Sequence, residues 1–391
     1  MIGIRLFFVG VLMLFSINAV AAGRLEVNLY YPADAHGSRL DAGAGKVEVV
    51  LLNTGDQSID VVLPTIPSVT GNGFLTNNLF EVIADDGVRA SYIGIDLVSA
   101  SLEGPYVTIA PGESRVYLVS IRDNYRVRAG GKYDVKLRPV RYLRRPRASY
   151  MQTSAQDIRA LLSESQPQQV LTLWIDPRLA SPSGISRQLL FDESAECEDW
   201  QLNEFEHIKA AAASLANEAF WHYNDLFVTE WLGMPPWFTW EFTASQRYTK
   251  WFGVDPVADM NQWAEDDLLL YSTLQAIPER MGSELVAVTC HCEAGKDRPD
   301  AMAYIQRPYH YIINSCPAFW QSPRVPTFKD QPSQVGTLIH EASHFEDSLS
   351  SPGTEHHAEF YDNASTLAGV NRSLAIRNSN TYKFYVLNQS W

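Results

Sequence analysis

The sequence predicts two domains of different class, an all-β sandwich of immunoglobulin-like type followed by a mainly α (α+β) domain. Three observations predict this division. Short runs of alternating apolar and polar residues, separated by turn residues, fill residues 24–143. Apolar stripes at three- and four-residue spacing, which are typical of helices, dominate after residue 191. The chain of 391 residues is long enough for both domains.

Residues 1–22 have the pattern of a signal peptide. One positive charge, Arg5, precedes an apolar run from Leu6 to Ile17, and small residues follow up to Ala22. The apolar run is too short to span a bilayer comfortably. We therefore expect the protein to be secreted or periplasmic, without a membrane partner once the signal peptide is removed.

Residues 23–143 are predicted to form the β-sandwich. The predicted strands cover residues 25–31, 46–52, 59–63, 106–109, 116–121 and 132–137. The region contains no cysteine and one histidine, His36, so we do not expect catalysis there. We consider two functions for it. One is a folding or inhibitory pro-domain, an intramolecular partner of the second domain, and the other is an adhesion-type accessory domain.

Residues 144–190 are predicted to be a linker. A compact basic run at residues 141–147 overlaps the start of this linker, and a polar stretch lies at residues 153–169. Proteolytic processing at the basic run is one hypothesis. Of the net charge of −14, residues 1–190 contribute +2 (19 basic, 17 acidic) and residues 191–391 contribute −16 (12 basic, 28 acidic). The acidic half disfavours nucleic-acid binding, and the two halves should attract each other.

The second domain, residues 191–391, contains the pattern H-E-x-x-H at His340, Glu341 and His344. On a helix, residues four apart project from one face, so both imidazoles can reach one metal ion. Glu341 lies beside them, where it can accept a proton from an attacking water. A helix is predicted because Ser333 can cap its start and an apolar stripe follows. The stripe consists of Val335, Leu338, Ile339, Ala342 and Phe345.

The segments after this motif resemble one protein family. Gly353 and Thr354 follow the motif, and the spacing A-x-x-N-x-x-x-Y-x-F runs from Ala375 to Phe384. Both segments resemble the aspzincins, the deuterolysin and peptidyl-Lys metalloendopeptidase family, whose H-E-x-x-H is followed by G-T-x-D-x-x-Y-G. The resemblance covers roughly residues 190–388. It implies a zincin-type metalloprotease domain, one Zn²⁺ per chain, protein or peptide substrates and, in some members, a preference for lysine.

Two positions depart from the family pattern. Counted from Thr354, the position of the family's ligand aspartate holds His356, and the position of its tyrosine holds Glu359. Because neutral imidazole is a common zinc ligand, we expect His340, His344 and His356 to hold the metal.

The final helix is where the alternatives differ. With Thr354 as its N-cap, His356 would lie in the first turn, and Glu359 on the same face could accept a hydrogen bond from it. A shifted register would instead make His357, Glu359 or Asp362 the third ligand, and with Glu359 the site would be gluzincin-like. Because the family tyrosine is missing, a second alternative is a catalytically decayed zinc-binding protein used for adhesion or inhibition.

Four cysteines occur, namely Cys197, Cys290, Cys292 and Cys316. Their even number in an exported chain favours two disulfides, and spacing alone permits three pairings. The family has a similarly placed C-x-C with one cysteine on each side. The resemblance therefore implies the pairs Cys197–Cys290 and Cys292–Cys316.

Overall fold

The structure is a computed structural model. It describes residues 22–32, 45–69, 73–99, 105–150, 161–165, 167, 169–176, 197–231, 238–253, 265–283, 286–293, 298–306, 311–345, 354–358 and 360–388. Residues 1–21 of the predicted signal peptide and His36 lie outside these ranges.

The amino-terminal half is β-rich, as predicted. Its strands are β1 (Leu25–Tyr30), β2 (Lys46–Asn53), β3 (Ile59–Val62), β4 (Phe80–Ala84), β5 (Ile95–Ser99), β6 (Tyr106–Ile109), β7 (Ser114–Ser120), β8 (Lys132–Leu137), β9 (Val140–Leu143), β10 (Ser163–Ser165) and β11 (Leu171–Trp174). A single helical turn, α1 (Ile121–Asn124), follows β7. Apart from β5, the strands form three sheets in the orders β1-β2-β7, β10-β9-β3-β6 and β11-β8-β4. The immunoglobulin-like topology stays a prediction.

Alternation explains why these strands form. In β8, the side chains of Tyr133, Val135 and Leu137 are buried, whereas Asp134 and Lys136 between them are exposed. A strand places successive side chains on opposite faces, so this pattern buries one face and leaves the other in water. The inward faces of the sheets share one apolar core.

The predicted linker at residues 144–190 is wrong over part of its length. β10 pairs with β9 and β11 pairs with β8, so both strands belong to the β-rich sheets. The physical reason is a short apolar alternation that buries Leu173 and Ile175 at 0% and 2% exposure in the β-region core. The β-rich region therefore extends at least to Ile175.

The carboxy-terminal half combines helices with one mixed sheet. The helices are α2 (Asp199–Asn224), α3 (Gln246–Phe252), α4 (Glu265–Gly282), α5 (Pro317–Gln321), α6 (Gln334–His344), α7 (Tyr361–Val370), α8 (Arg372–Ile376) and α9 (Ser379–Leu387). The strands are β12 (Phe227–Trp231), β13 (Phe238–Phe242), β14 (Ala287–Thr289), β15 (Ala301–Gln306) and β16 (Ile312–Ser315). Helices α2, α4 and α9 pack around α6 and share one apolar core with it. None of the helices described is both long and apolar enough to cross a membrane.

The mixed sheet joins the two halves of the chain. Its order is β14-β16-β15-β5, and β5 comes from the amino-terminal half. β14 is parallel to β16, whereas β15 is antiparallel to both of its neighbours. β15 was not predicted because all six of its residues are buried, and a fully buried strand lacks the alternation by which strands are recognised.

Candidate metal centre

Helix α6 carries the H-E-x-x-H residues in a fully buried setting. It begins as predicted, with Ser333 Oγ accepting a hydrogen bond from the Gly336 N–H at 3.2 Å. At the other end, the Arg280 guanidinium donates to Ala342 O at 2.6 Å and to Phe345 O at 2.8 Å. These bonds satisfy carbonyls that a helix end leaves without partners inside the helix. The helix is thus held at both ends.

Three imidazoles converge beside this helix. His340 and His344 are 1% and 0% exposed, and their Nε2 atoms lie 3.0 Å apart. The Nε2 atom of His356 lies 3.3 Å from that of His340. One potential ligand atom from each of the three residues falls within a group no more than 4.8 Å across. Ligand nitrogens around a tetrahedral zinc ion lie about 3.3 Å apart, so the spacing suits such an ion.

Hydrogen bonds on the outer side of two rings fix their orientation. His340 Nδ1 lies 3.0 Å from Asn380 Oδ1, and His344 Nδ1 lies 2.8 Å from the main-chain oxygen of Thr354. The Asn380 amide is oriented by its Nδ2, which donates to Ala358 O at 3.1 Å. Both Nδ1 atoms therefore act as donors, which leaves each Nε2 with a lone pair directed at the other ring. Two facing lone pairs repel unless a cation lies between them, so this donor set fits a metal ion.

The pKa directions agree with neutral imidazoles. Burial, followed by the nearby His356 and His344, holds the pKa of His340 well below its usual value. Burial lowers the pKa of His357 to about 4, against an opposing effect of the Glu355 carboxylate. A neutral imidazole is the form that binds a metal ion.

His356 reaches the cluster from a loop, so the prediction that Thr354 caps the final helix is wrong. Thr354 is fully buried, and its N–H donates to Ser343 O at 3.0 Å while its Oγ1 lies 2.8 Å from Ser343 Oγ. These contacts engage both groups that a cap would use. Helix α7 begins only at Tyr361, with Phe360 as its N-cap. Thr354 thus fastens the loop of His356 to α6.

The segment around Asn378 supports the same loop. The Oδ1 atom of Asn378 accepts hydrogen bonds from the N–H groups of His357 and Ala358 at 3.0 and 3.1 Å. Glu355 pairs with Asn378 in an isolated parallel bridge. The Asn378 segment therefore holds the loop both by main-chain pairing and through the side-chain amide of Asn378.

The structure places the other predicted residues as follows. His357 Nε2 lies 3.5 Å from the Glu355 carboxylate, and His357 is not part of the three-imidazole group. Glu359 and Gly353 lie outside the described residues. Tyr361 packs against Trp251, and its hydroxyl is bonded to Lys250.

Comparisons with known proteins point to one family of peptidases. A family model described as "Lysine-specific metallo-endopeptidase", Aspzincin_M35, matches residues 240–387. This match supports the aspzincin family for the carboxy-terminal part of the chain, from Cys197 onwards, which is called the aspzincin domain below. An extracellular protease of Aeromonas hydrophila is 23% identical over 354 residues, 88% of this chain and 88% of the relative. A peptidyl-Lys metalloendopeptidase of Armillaria mellea is 24% identical over 389 residues, 98% of this chain and 97% of the relative.

Two proteins of Grifola frondosa also match. Its peptidyl-Lys metalloendopeptidase is 24% identical over 361 residues, 87% of each chain. A solved structure of a zinc peptidase from that organism is 22% identical, covers 49% of this chain and 97% of its own, and has a TM-score of 0.36. The family model and the named relatives support a zinc-dependent metalloendopeptidase.

Both disulfides expected from the family are present in the aspzincin domain. Cys197 bonds to Cys290 and Cys292 bonds to Cys316, with Cα atoms 5.0 and 4.9 Å apart. All four cysteines of the chain are therefore paired.

Sequence reasoning missed three residues at the centre. Asn378 and Asn380 lie in the tail that resembles the family, and that tail was the signal that could have found them. Asp96 of β5 was missed altogether. Its Oδ1 lies 3.7 Å from His356 Nε2 and its Oδ2 lies 3.9 Å from His344 Nδ1. Nothing in the sequence marks Asp96, because it is separated from these histidines by more than two hundred residues.

Proposed function

We propose that this chain is a secreted zinc metalloendopeptidase in which His340, His344 and His356 hold the zinc and Glu341 is the general base. The observation that carries the proposal is the convergence of three imidazole Nε2 atoms whose orientation is set from outside by Asn380 and Thr354. Zinc in such a site polarises the scissile carbonyl and makes water a better nucleophile near neutral pH.

Glu341 is placed for proton transfer. It is fully buried on α6, next to His340 in the chain and three residues before His344. A carboxylate in that position can accept the proton of the attacking water and then deliver it to the departing amine. Because both ends of α6 are held, the Glu341 carboxylate keeps a fixed position relative to both imidazoles. A fixed position favours proton transfer, since no reorientation is needed before each transfer.

Glu341→Gln tests this role. The substitution keeps the shape of the side chain and removes its ability to accept a proton. We expect zinc content and folding to be unchanged and casein hydrolysis to fall by about 10²–10⁴-fold, the usual contribution of a general base. Glu279→Gln is the matched control. This glutamate of α4 is exposed, and the hydrogen bond described for its side chain comes from Gln275 at 3.1 Å. Substantial hydrolysis by a zinc-loaded Glu341→Gln protein would remove Glu341 from the mechanism.

The two alternatives receive less support. In the gluzincin-like arrangement Glu359 would be the third ligand, whereas among the described residues His356 is the third member of the group of potential ligands. The decayed-enzyme alternative rests on the missing family tyrosine, whereas the relatives that match most of the chain are named as a protease and as metalloendopeptidases. Loss of hydrolysis on treatment with a chelator, and its return with zinc, would separate an enzyme from a zinc-stabilised binding protein.

We also propose that the enzyme prefers lysine at the cleavage site. The family description and the fungal relatives name lysine, and residues 191–391 carry a net charge of −16, which favours a cationic side chain. Digestion of an unrelated denatured protein, followed by mapping of the new termini, tests the preference. Cuts beside lysine should greatly outnumber cuts beside arginine, since both residues are cationic and only a lysine-specific site distinguishes them. Equal numbers at both would contradict it.

Export and domain boundaries complete the proposal. Two disulfides and the extracellular relative from Aeromonas support secretion after removal of residues 1–22. The β-rich region, from residue 23 to at least Ile175, is then a pro-domain or accessory domain. If it is removed, the cut falls between residues 176 and 197, because an earlier cut would leave β10 or β11 behind. Sequencing the amino terminus of the secreted protein tests this.

A further inference from the structure

Strand β5 belongs to the β-rich region but lies in the sheet of the aspzincin domain. It runs antiparallel to β15, with Asp96 opposite Ile305. On its other edge, the N–H groups of Ile95 and Leu97 donate to the main-chain oxygens of Leu75 and Thr76 at 2.9 and 3.3 Å. β5 is therefore held by its own region on one side and covers an edge of the other domain on the opposite side.

The edge of β15 that β5 covers is the edge with which an extended substrate would pair. β15 packs against α6, which carries the proposed ligands, and its inner edge pairs with β16. Within the part of the chain that the structure describes, β5 is the strand on the outer edge of β15. Proteins commonly bind an extended peptide by adding it as a strand to an exposed sheet edge. An extended substrate paired with β15 would thus run where β5 now lies.

Asp96 extends from β5 towards the imidazoles. Ile95 and Leu97 pack with Ala301 and Tyr304 on one face of the sheet. Because successive side chains of a strand alternate, Asp96 projects from the opposite face. Its carboxylate lies beside two of the three imidazoles at the 3.7 and 3.9 Å given above, and the residue is 1% exposed. A carboxylate of the β-rich region is thereby placed next to two of the three proposed ligand residues.

A second contact holds the β-rich region on the same site. Arg138, in the turn between β8 and β9, donates to His356 O at 3.1 Å and to the Glu355 carboxylate at 3.2 Å. Arg89 lies 3.9 Å from that carboxylate. Two arginines of the amino-terminal half thus lie close to an acidic residue of the loop that carries His356.

We propose that β5 is an autoinhibitory strand, which occupies the place of the substrate on β15 while Asp96 closes the open side of the zinc site. The proposal rests on the proposed function, since it requires a metal on the three imidazoles. The full chain would then be a latent form, and activation would require β5 to leave β15. A divalent cation held by the imidazoles would attract the Asp96 carboxylate, which would add to the main-chain pairing.

The test measures access to the metal without relying on activity. Co²⁺ replaces zinc in the full-length protein, and acetohydroxamate, a small metal-binding probe, is titrated while the visible spectrum of Co²⁺ is recorded. Asp96→Asn keeps the size of the side chain and removes its charge. Asp60→Asn is the matched control, because Asp60 is another buried aspartate of the β-rich region, 5% exposed, and bonds to Thr108 at 2.6 Å. Circular dichroism checks that each variant is folded.

We expect acetohydroxamate to bind Asp96→Asn at least about tenfold more tightly than the wild-type protein or Asp60→Asn. Hydrolysis of casein by Asp96→Asn should remain low, because β5 still covers the edge, and should rise once the β-rich region is cut away. Equal probe affinities in all three proteins would overturn the inference and leave the proposed function intact. Weaker hydrolysis with unchanged probe affinity would also overturn it, since Asp96 would then assist catalysis. Failure of the wild-type protein to bind Co²⁺ or zinc would overturn both proposals.

Discussion

Asn380→Ala should weaken zinc binding without touching a proposed ligand. Asn380 is 4% exposed, and its amide accepts from His340 Nδ1 at 3.0 Å and donates to Ala358 O at 3.1 Å. Removing it costs two hydrogen bonds and leaves one buried and one partly buried polar group without those bonds, which amounts to about 2–4 kcal/mol of folding free energy. Loss of the group that orients a ligand imidazole lowers zinc affinity by about 10–100-fold.

The assay is competition for zinc against a chelator of known affinity, combined with denaturant unfolding of the metal-free protein. Asn53→Ala is the control, because Asn53 is also fully buried and donates to Gln57 O at 2.8 Å and Ile109 O at 3.0 Å in the β-rich region. It should lose stability and keep its zinc affinity. Asn380→Asp retains an acceptor for His340 and should bind zinc more tightly than Asn380→Ala. If Asn380→Ala holds zinc as tightly as the wild-type protein, the outer hydrogen bond does not orient His340 and the reasoning fails.

Two further predictions concern the frame around the site. Arg280→Met should lower the free energy of unfolding, measured by urea titration, by about 3 kcal/mol or more, because two charge-assisted bonds from a buried guanidinium to the end of α6 are lost. Arg324→Met is the control, since it breaks only an exposed ion pair with Glu204 and should cost about 1 kcal/mol or less in the same titration. Replacing Cys197 and Cys290 by alanine should cost about 4.6 kcal/mol, against about 3.4 kcal/mol for Cys292 and Cys316, since the first bond spans 93 residues and the second spans 24. Equal losses for both arginines, or a larger loss for the shorter loop, would contradict these estimates.

The sequence was sufficient where a local pattern determines the structure. The start of α6 at Ser333, the shared face of His340 and His344, and the alternation within β8 all follow from spacing and side-chain type. The family resemblance also supplied the pairing of the four cysteines, which spacing alone had left open.

The sequence was insufficient for features whose structure depends on burial or on contacts between residues far apart in the chain. β15 has no alternation because both of its faces are buried, so its position between β16 and β5, beside α6, could not be predicted. Thr354 has the chemistry of an N-cap, yet its contacts with Ser343 outweigh that preference, and His356 therefore lies in a loop. Asp96 reaches the site only because β5 crosses into the other sheet, a contact for which no local signal exists.

The central claim is that His356 completes the zinc site, and zinc content measures this most directly. His356→Ala and His357→Ala alter adjacent histidines, of which only the first has its Nε2 in the imidazole group. After dialysis against a limiting zinc buffer, the wild-type protein and His357→Ala should each retain one zinc per chain, and His356→Ala should lose most of it. Zinc retained in His356→Ala and lost from His357→Ala or Glu359→Ala would contradict the account.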